Sequence, residues 1–283
     1  MTATQALKAL TARLAKALGD DDEGLAAARL IMEDVAGYDR RKIFTDGDRT
    51  LLPETEARLD RVAAEIEQGM PVQYAVGTAR FMGNDFIVTP DVLIPRPETA
   101  GLVDMVVDRY GARRDLRVLD IGTGSGCIAI SLARALPFCK AEGIDISAAA
   151  VDVARRNAAA LRVPVSFAVA DILRATAVAD SYDVIVSNPP YICRSERSDM
   201  DPRVADAEPD GALFVPDDDP LLFYRAIARY AHTALASGGG LFFEINSRFP
   251  AETERLLVDE GFEDVAVTRD YKGNPRYAAA VKA

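Results

Sequence analysis

From Leu116 to the C-terminus, short apolar runs alternate with longer amphipathic segments. No other feature of the chain restricts its fold as strongly. The runs read RVLDI, AEGIDI, VSFAVA, DVIVSN, GLFFEI, DVAVTRD and YAAAVKA. Helices are expected between them at 128–135, 148–161 and 221–236. Strands that alternate with helices imply crossover connections, hence an α/β fold with a doubly wound, mainly parallel sheet. Only DYKGNPR separates the last two runs, which leaves no length for a crossover. They are expected to pair as an antiparallel hairpin with Gly273-Asn274 in the turn.

Upstream, residues 1 to about 73 read as helical. Leu7, Leu10, Leu14 and Leu18 recur at three- and four-residue steps and form one apolar stripe. A second helix is expected over 24–36, ended by Gly37, and a third from Pro53 to Gln68, stopped by Gly69. Arg40-Arg41-Lys42 between them reads as a solvated turn. FMGNDFIV then suggests a hairpin around Gly83-Asn84-Asp85, and a helix over 100–110 follows Pro95-Arg96-Pro97-Glu98-Thr99. The expected organisation is a small all-helical domain over 1–73, for substrate recognition, and a hairpin linker plus α/β domain over 74–283.

Composition removes several classes of function. No run of about 18 uncharged apolar residues occurs, so no membrane span is expected. MTATQALKALTARLAKAL is amphipathic and lacks the apolar centre of a signal peptide. Cys127, Cys139 and Cys193 are too few for a disulfide framework and lack metal-ligand spacing, which points to a reducing cytoplasm. The single histidine, His232, leaves no His-based triad and no His-rich metal site. A net charge of −11 gives no basic footprint for nucleic acid and favours a protein or small-molecule substrate.

VLDIGTGSGCIAI, from Val118 to Ile130, reads as a strand, a glycine turn and a helix start. Gly122, Gly124 and Gly126 allow a tight turn and close backbone approach to a ligand. The spacing differs from the dinucleotide fingerprint, and no Lys-Ser/Thr pair follows to make a phosphate loop. Asp145 ends the second strand, where an acid suits two ribose hydroxyls or caps the next helix. Asp171 ends the third, where it can meet an adenine amino group or again cap a helix. Polar groups at three successive strand ends fit an adenosine laid across the sheet edge.

With Asp120 inside the glycine motif, this pattern resembles the class I S-adenosylmethionine-dependent methyltransferases from Leu116 to the C-terminus. The resemblance implies a seven-stranded sheet of order 3-2-1-4-5-7-6 with the last strand antiparallel. The glycine turn and Ser187-Asn188-Pro189-Pro190-Tyr191 then face one crevice. There the Asn-Pro-Pro-Tyr run acquires a chemical purpose. An amide or exocyclic amino nitrogen is a poor nucleophile because its lone pair is delocalised. Two acceptors, the Asn188 side-chain oxygen and the Pro189 carbonyl, can bind both its N–H bonds and aim it, on a backbone stiffened by Pro189 and Pro190. Tyr191 offers a flat face to the planar acceptor.

PVQYAVGTARFMGNDFIVTPDVLIPRPET, VLDIGTGSGCIAI, SNPPYI, EPDGALF, GLFFEIN and RDYKGNPR together resemble the HemK-type release-factor glutamine methyltransferases, over Pro71 to Ala283 behind a helical domain. The resemblance implies the substrate, the glutamine of the Gly-Gly-Gln loop in class 1 peptide chain release factors. It implies S-adenosylmethionine contacts at Gly122, Thr123, Gly124, Ser125, Gly126, Asp145, Asp171, Ile172 and Asn188. Catalysis falls to Asn188 and Pro189, and substrate contacts to Asn188, Pro189, Pro190 and Tyr191. Ile172 stands where the family often has an aromatic residue, so apolar packing alone is expected there. No metal, membrane or direct nucleic-acid partner is implied, and the expected location is the cytoplasm. A related family that methylates glutamine on a ribosomal protein reads Ile-Pro-Arg-Ser-Pro where this chain has Ile-Pro-Arg-Pro-Glu. An adenine-N6 or cytosine-N4 enzyme is the remaining alternative. Arg96 and Glu98 form an ion pair or shape the cofactor pocket.

Overall fold

A computed structural model of the chain describes residues 1–283. They fall into two compact units, Met1–Thr78 with Asp201–Ala207, and Ala79–Met200 with Glu208–Ala283. The first unit contains α1 (Ala3–Leu18), α2 (Asp21–Ala36), α3 (Arg40–Asp46), α4 (Pro53–Glu67) and α5 (Val72–Val76). Thr2 and Gln5 close a reciprocal capping box at the start of α1, and Asp20 caps α2 by accepting from Glu23 N at 2.8 Å. Leu10 and Leu14 are buried against Ile31 and Met32 of α2 and Leu59, Ala63 and Ile66 of α4, while Leu7 and Leu18 lie at the margin of that core. Gly24 lets α1 and α2 meet closely: a Cβ there would stand 2.4 Å from Ala15 N. Arg40-Arg41-Lys42 is exposed as expected, yet it opens a helix rather than a turn. Asp39 accepts from Lys42 N at 2.6 Å, and that cap starts the helix without any buried side chain.

The second unit begins with the hairpin of β1 (Thr78–Phe81) and β2 (Asn84–Ile87). Its turn is Met82-Gly83, both at positive φ, one step earlier than the sequence suggested. Then come α6 (Pro97–Tyr110), β3 (Arg117–Ile121), α7 (Cys127–Ala135), β4 (Lys140–Asp145), α8 (Ala148–Leu161), β5 (Val165–Val169) and β6 (Tyr182–Ser187). Next are β7 (Ile192–Cys193), a 3₁₀ turn (Arg194–Asp199), α9 (Pro202–Ala205), which clusters with the first unit, α10 (Asp210–Leu213) and β8 (Phe214–Val215). The chain ends with α11 (Leu222–Ala234), β9 (Leu235–Glu244), α12 (Pro250–Asp259), β10 (Phe262–Arg269) and β11 (Pro275–Lys282).

The seven-stranded sheet has the order β5-β4-β3-β6-β9-β11-β10, which is the expected 3-2-1-4-5-7-6. Only β11 runs antiparallel to its neighbours, and it turns from β10 through Asp270–Asn274. Successive residues of a strand face opposite sides, and here both sides are apolar. Val118, Val184, Val186 and Phe242 pack with Leu102 and Val106 of α6, Ile128 and Leu132 of α7 and Val151 of α8. Leu119, Ile185, Leu241 and Phe243 pack with Ile227 and Ala231 of α11 and Leu257 of α12. Helices therefore cover both faces, which leaves the carboxyl edge of the strands as the exposed working edge. Helix α12 is an addition to the helices expected from the sequence, and α11 stops at Ala234 because Leu235 already takes extended dihedrals and starts β9. No helix of the protein is long and apolar enough to cross a membrane.

Candidate active site

The carboxyl ends of four strands come level. Ile121 of β3 pairs with Ile144 of β4 and with Ser187 of β6, and Asp145 pairs with Val169 of β5. Ser187 Oγ donates to Ile121 O at 2.6 Å and ties the end of β6 to the end of β3. The strand order reverses between these two, so their loops leave in opposite directions and open a crevice. The crevice holds a cavity of about 380 Å³, a size usual for small-molecule sites.

The glycine turn forms one wall. Gly122 N and Thr123 N donate to Ile144 O at 2.9 and 3.0 Å, and Gly124 N donates to Asp145 Oδ2 at 2.9 Å. Gly122 and Gly124 have φ of +72° and +53° and line the cavity, and a Cβ on either would meet no protein atom within 4 Å. That open space is a cradle for a ligand. Gly126 differs. It lies outside the lining, and a Cβ there would press on Ala154, Phe167 and Ile130 at 3.1–3.2 Å, so its task is to seat α7. Thr123 and Ser125 line the wall between them. Beneath it Asp120 is fully buried and accepts from Thr123 Oγ1 at 2.7 Å and Ala129 N at 3.2 Å. Burial pushes its carboxyl up to about 7.

Asp145 does not cap α8. Ser147 does, accepting from Ala150 N at 3.2 Å. Asp145 instead fastens the glycine turn through Oδ2 and accepts from Ser147 N at 2.9 Å through Oδ1, and it lines the cavity. Each carboxylate oxygen keeps a further lone pair for a ligand. Asp171 accepts from Leu173 N at 3.0 Å and ends β5 in a turn, and with Ile172 it lines the same cavity. An acid facing the glycine turn, a second acid, and apolar Ile146, Ile172 and Leu173 between them suit a nucleoside: hydroxyls on one part, a flat base on the other.

Asn188, Pro189 and Pro190 line the opposite wall, and Tyr191 lies outside the lining. Asn188 Nδ2 donates to Thr99 Oγ1 at 3.2 Å. Thr99 donates to Glu244 Oε2 at 2.7 Å, and Tyr191 OH donates to Glu244 Oε1 at 3.0 Å. Asn246 Nδ2 holds Tyr191 O at 2.9 Å and Glu196 Oε1 at 3.1 Å, while Cys193 N donates to Glu196 at 2.8 Å. The bridge of β7 to β8 joins Ile192 to Phe214. The Asn-Pro-Pro-Tyr loop is therefore pinned at both ends. Burial, and then the charge of Glu244, raise the Tyr191 phenol well above its usual range, so it stays neutral. Burial also raises the Glu244 carboxyl, against the hydrogen bonds from Thr99 and Tyr191 and the charge of Arg276. His232 is exposed on α11, its ring edge-on to Phe262, and is absent from the lining.

The two arginine-loop residues do not pair with each other. Arg96 lines the cavity and is held by Glu208, whose side chain is fully buried and also accepts from Ile94 N at 3.2 Å. Glu98 bonds Lys272 Nζ at 2.6 Å and Tyr271 OH at 3.2 Å, and Lys272 lowers its carboxyl below the usual range. Thr99, Glu208, Glu244 and Asn246 carried no assigned role in the sequence. The signal for Glu244 is a charged residue closing the apolar run LFF, since a buried carboxylate is costly unless bonded.

Two domain families match the chain: the PrmC N-terminal domain over residues 5–77 and the methyltransferase small domain over residues 100–205. A release factor glutamine methyltransferase of Bacteroides thetaiotaomicron is 42% identical over 275 residues, covering 96% of this chain and 98% of its own. One of Cereibacter sphaeroides is 38% identical over 280 residues, covering 99% and 98%. A solved methyltransferase structure from Pyrococcus furiosus shares the fold with a TM-score of 0.53 at 17% identity, covering 82% of this chain and 100% of that one. With such identity along nearly its whole length, and with the crevice of a methyltransferase sheet, the chain belongs to the release factor glutamine methyltransferases.

Proposed function

We propose that this protein transfers a methyl group from S-adenosylmethionine to the side-chain amide nitrogen of the glutamine in the Gly-Gly-Gln loop of class 1 release factors. The observation that supports it most directly is Asn188 beside the glycine turn in one cavity, with its amide nitrogen already committed to Thr99. Its Oδ1 is then free to accept from a substrate amide.

Gly122, Thr123, Gly124, Ser125, Asp145, Asp171 and Ile172 would hold the cofactor, with Asp145 accepting from ribose hydroxyls and Asp171 and Ile172 meeting the adenine; Gly126 supports that wall from behind. S-adenosylmethionine supplies, when bound, a methyl group activated by its sulfonium. The chain supplies position. Asn188 Oδ1 and the Pro189 carbonyl accept the two N–H bonds of the glutamine amide, which directs the nitrogen and raises its electron density. Pro190 fixes the loop, and Tyr191 supports it from outside the cavity instead of stacking on the substrate. No histidine, and no phenol able to ionise near neutral pH, lines the cavity. A base is not needed, because an amide nitrogen becomes acidic once methylated and sheds its proton to water.

The helical unit is proposed to recognise the body of the release factor, since none of the cavity residues comes from it. A net charge of −11 supports a protein substrate over nucleic acid, and the absence of a spanning helix fits action in the cytoplasm on a translation factor. The test is incubation with labelled S-adenosylmethionine and purified release factor, followed by mass spectrometric mapping. Label on the loop glutamine supports the proposal; label elsewhere, or none, refutes it.

A further inference from the structure

Asn188 can receive a substrate N–H only if its amide turns oxygen, not nitrogen, toward the cavity. An amide has nearly the same shape after half a turn, so sterics alone do not choose. The choice has to come from hydrogen bonds.

Asn188 Nδ2 donates to Thr99 Oγ1 at 3.2 Å. Thr99 has a single hydroxyl proton, and it goes to Glu244 Oε2 at 2.7 Å. The threonine oxygen is left as an acceptor, which is what Asn188 Nδ2 needs. The other Glu244 oxygen is occupied by Tyr191 OH at 3.0 Å, and Arg276 Nη1 stands 3.5 Å from that phenol. With Asn188 reversed, its Oδ1 would face Thr99. Thr99 would then have to turn its proton toward Asn188 and leave Glu244 Oε2 without a donor. Thr99 and Glu244 are 3% and 2% exposed, so water cannot replace the lost bond, and an unmet buried acceptor is costly. The three groups come from the first turn of α6, the end of β6 and the end of β9.

We propose that Glu244, acting through the Thr99 hydroxyl, is a positioning residue that fixes which way the Asn188 amide points, with Tyr191 completing the carboxylate. The proposal rests on Asn188 being the acceptor for the substrate amide. Glu244 lies outside the cavity lining, and Thr99 borders the cavity behind Asn188, so both act on the substrate amide through Asn188. A purely structural role predicts a loss of stability that spreads to every property of the enzyme. A positioning role predicts a loss in the transfer step with the cofactor site intact.

Single-turnover rates, S-adenosylmethionine dissociation constants and melting temperatures are measured for the full chain carrying Thr99→Val, Thr99→Ser, Glu244→Gln, Asn188→Ala and the Thr99→Val/Asn188→Ala pair. Removing one precisely aimed acceptor commonly costs on the order of 10²-fold in rate, so Asn188→Ala is expected at that level and Thr99→Val at about 10-fold or more. Cofactor affinity stays within about 3-fold for Thr99→Val, because binding and positioning are separable readouts. Thr99→Ser, which restores the hydroxyl, recovers most of the rate. Glu244→Gln keeps shape and volume but places an NH₂ against one hydroxyl, and it slows transfer as well. Groups acting as one unit are not additive, so the double variant is no slower than Asn188→Ala alone. Thr99→Val or Glu244→Gln at the wild-type rate would overturn the proposal, as would Thr99→Ser as slow as Thr99→Val, or losses that multiply in the double variant. Asn188→Ala at the wild-type rate would remove the reading beneath it as well.

Discussion

At the scale of single residues, Asp145 and Asn188 divide the labour of the cavity. Asp145 holds Gly124 N and Ser147 N and keeps lone pairs for the ribose. Hydrogen bonds to a charged group are worth roughly 1.5–3 kcal/mol. Asp145→Ala is therefore expected to weaken S-adenosylmethionine about 10-fold or more in calorimetry, with a smaller effect on the rate at saturating cofactor. An unchanged dissociation constant would restrict Asp145 to holding the turn. Asp120 offers a test by pH. Burial raises its carboxyl to about 7 from 3.8, with the charge of Asp145 adding and the bonds from Thr123 and Ala129 opposing. The folded chain then keeps a proton that the unfolded chain has lost. The stability this group contributes is fully present below pH 3.8 and is lost as pH rises to about 7. Urea unfolding of Asp120→Asn should show a smaller fall in stability between these limits than wild type; an identical fall would mean that Asp120 does not titrate there. The glycine turn, Asp145, Asp171 and Asn188 were legible in the sequence because each closes or follows an apolar run at one end of a strand. The role of Thr99 was not. It lies 89 residues from Asn188, and nothing local marks a threonine in the first turn of a helix as anyone's partner. Tyr191 suggests a stacking face because it is the aromatic member of the Asn-Pro-Pro-Tyr run, but its hydroxyl is drawn to Glu244.

At the scale of elements, legibility followed the strength of the apolar pattern. All seven strands of the large sheet were read, since each carries enough apolar residues for two covered faces. Helix α12 was missed because PAETERLLVD buries only Thr253, Leu256 and Leu257. Helix α3 buries nothing and is set by the Asp39 cap, so charge clustering alone could not separate helix from turn. Strands β7 and β8 are two residues each, too short for any period, and exist because the Asn-Pro-Pro-Tyr loop is pulled against Phe214. The pairing of α1 with α2 depends on Gly24. A Gly24→Val side chain would enter backbone at Ala15, and such overpacking costs about 1–3 kcal/mol. Denaturant unfolding should register that loss while S-adenosylmethionine affinity remains at the wild-type value. Wild-type stability in Gly24→Val would show that the two helices separate at no cost.

At the scale of the whole molecule, each unit has its own core, one around Leu14, Ile31 and Leu59 and the others on the two faces of the sheet. Units with separate cores can fold separately. Removing residues 1–70 is expected to leave a cofactor-binding protein that methylates a short Gly-Gly-Gln peptide but processes whole release factor poorly. A stable interface buries about 800 Å² per partner, more than a crevice around one side chain can offer. Equal losses of kcat/KM on peptide and whole factor, in a truncation that still binds cofactor, would deny the helical unit a recognition role.

The central claim is that the methyl group goes to the loop glutamine of a release factor. The direct measurement is transfer of labelled methyl from S-adenosylmethionine to purified release factor, compared with the same factor carrying alanine in place of that glutamine and with ribosomal RNA. Label is expected in the intact factor alone, and almost none when the enzyme carries Asn188→Ala. Equal label in the intact and altered factors, or label in the RNA, would contradict it.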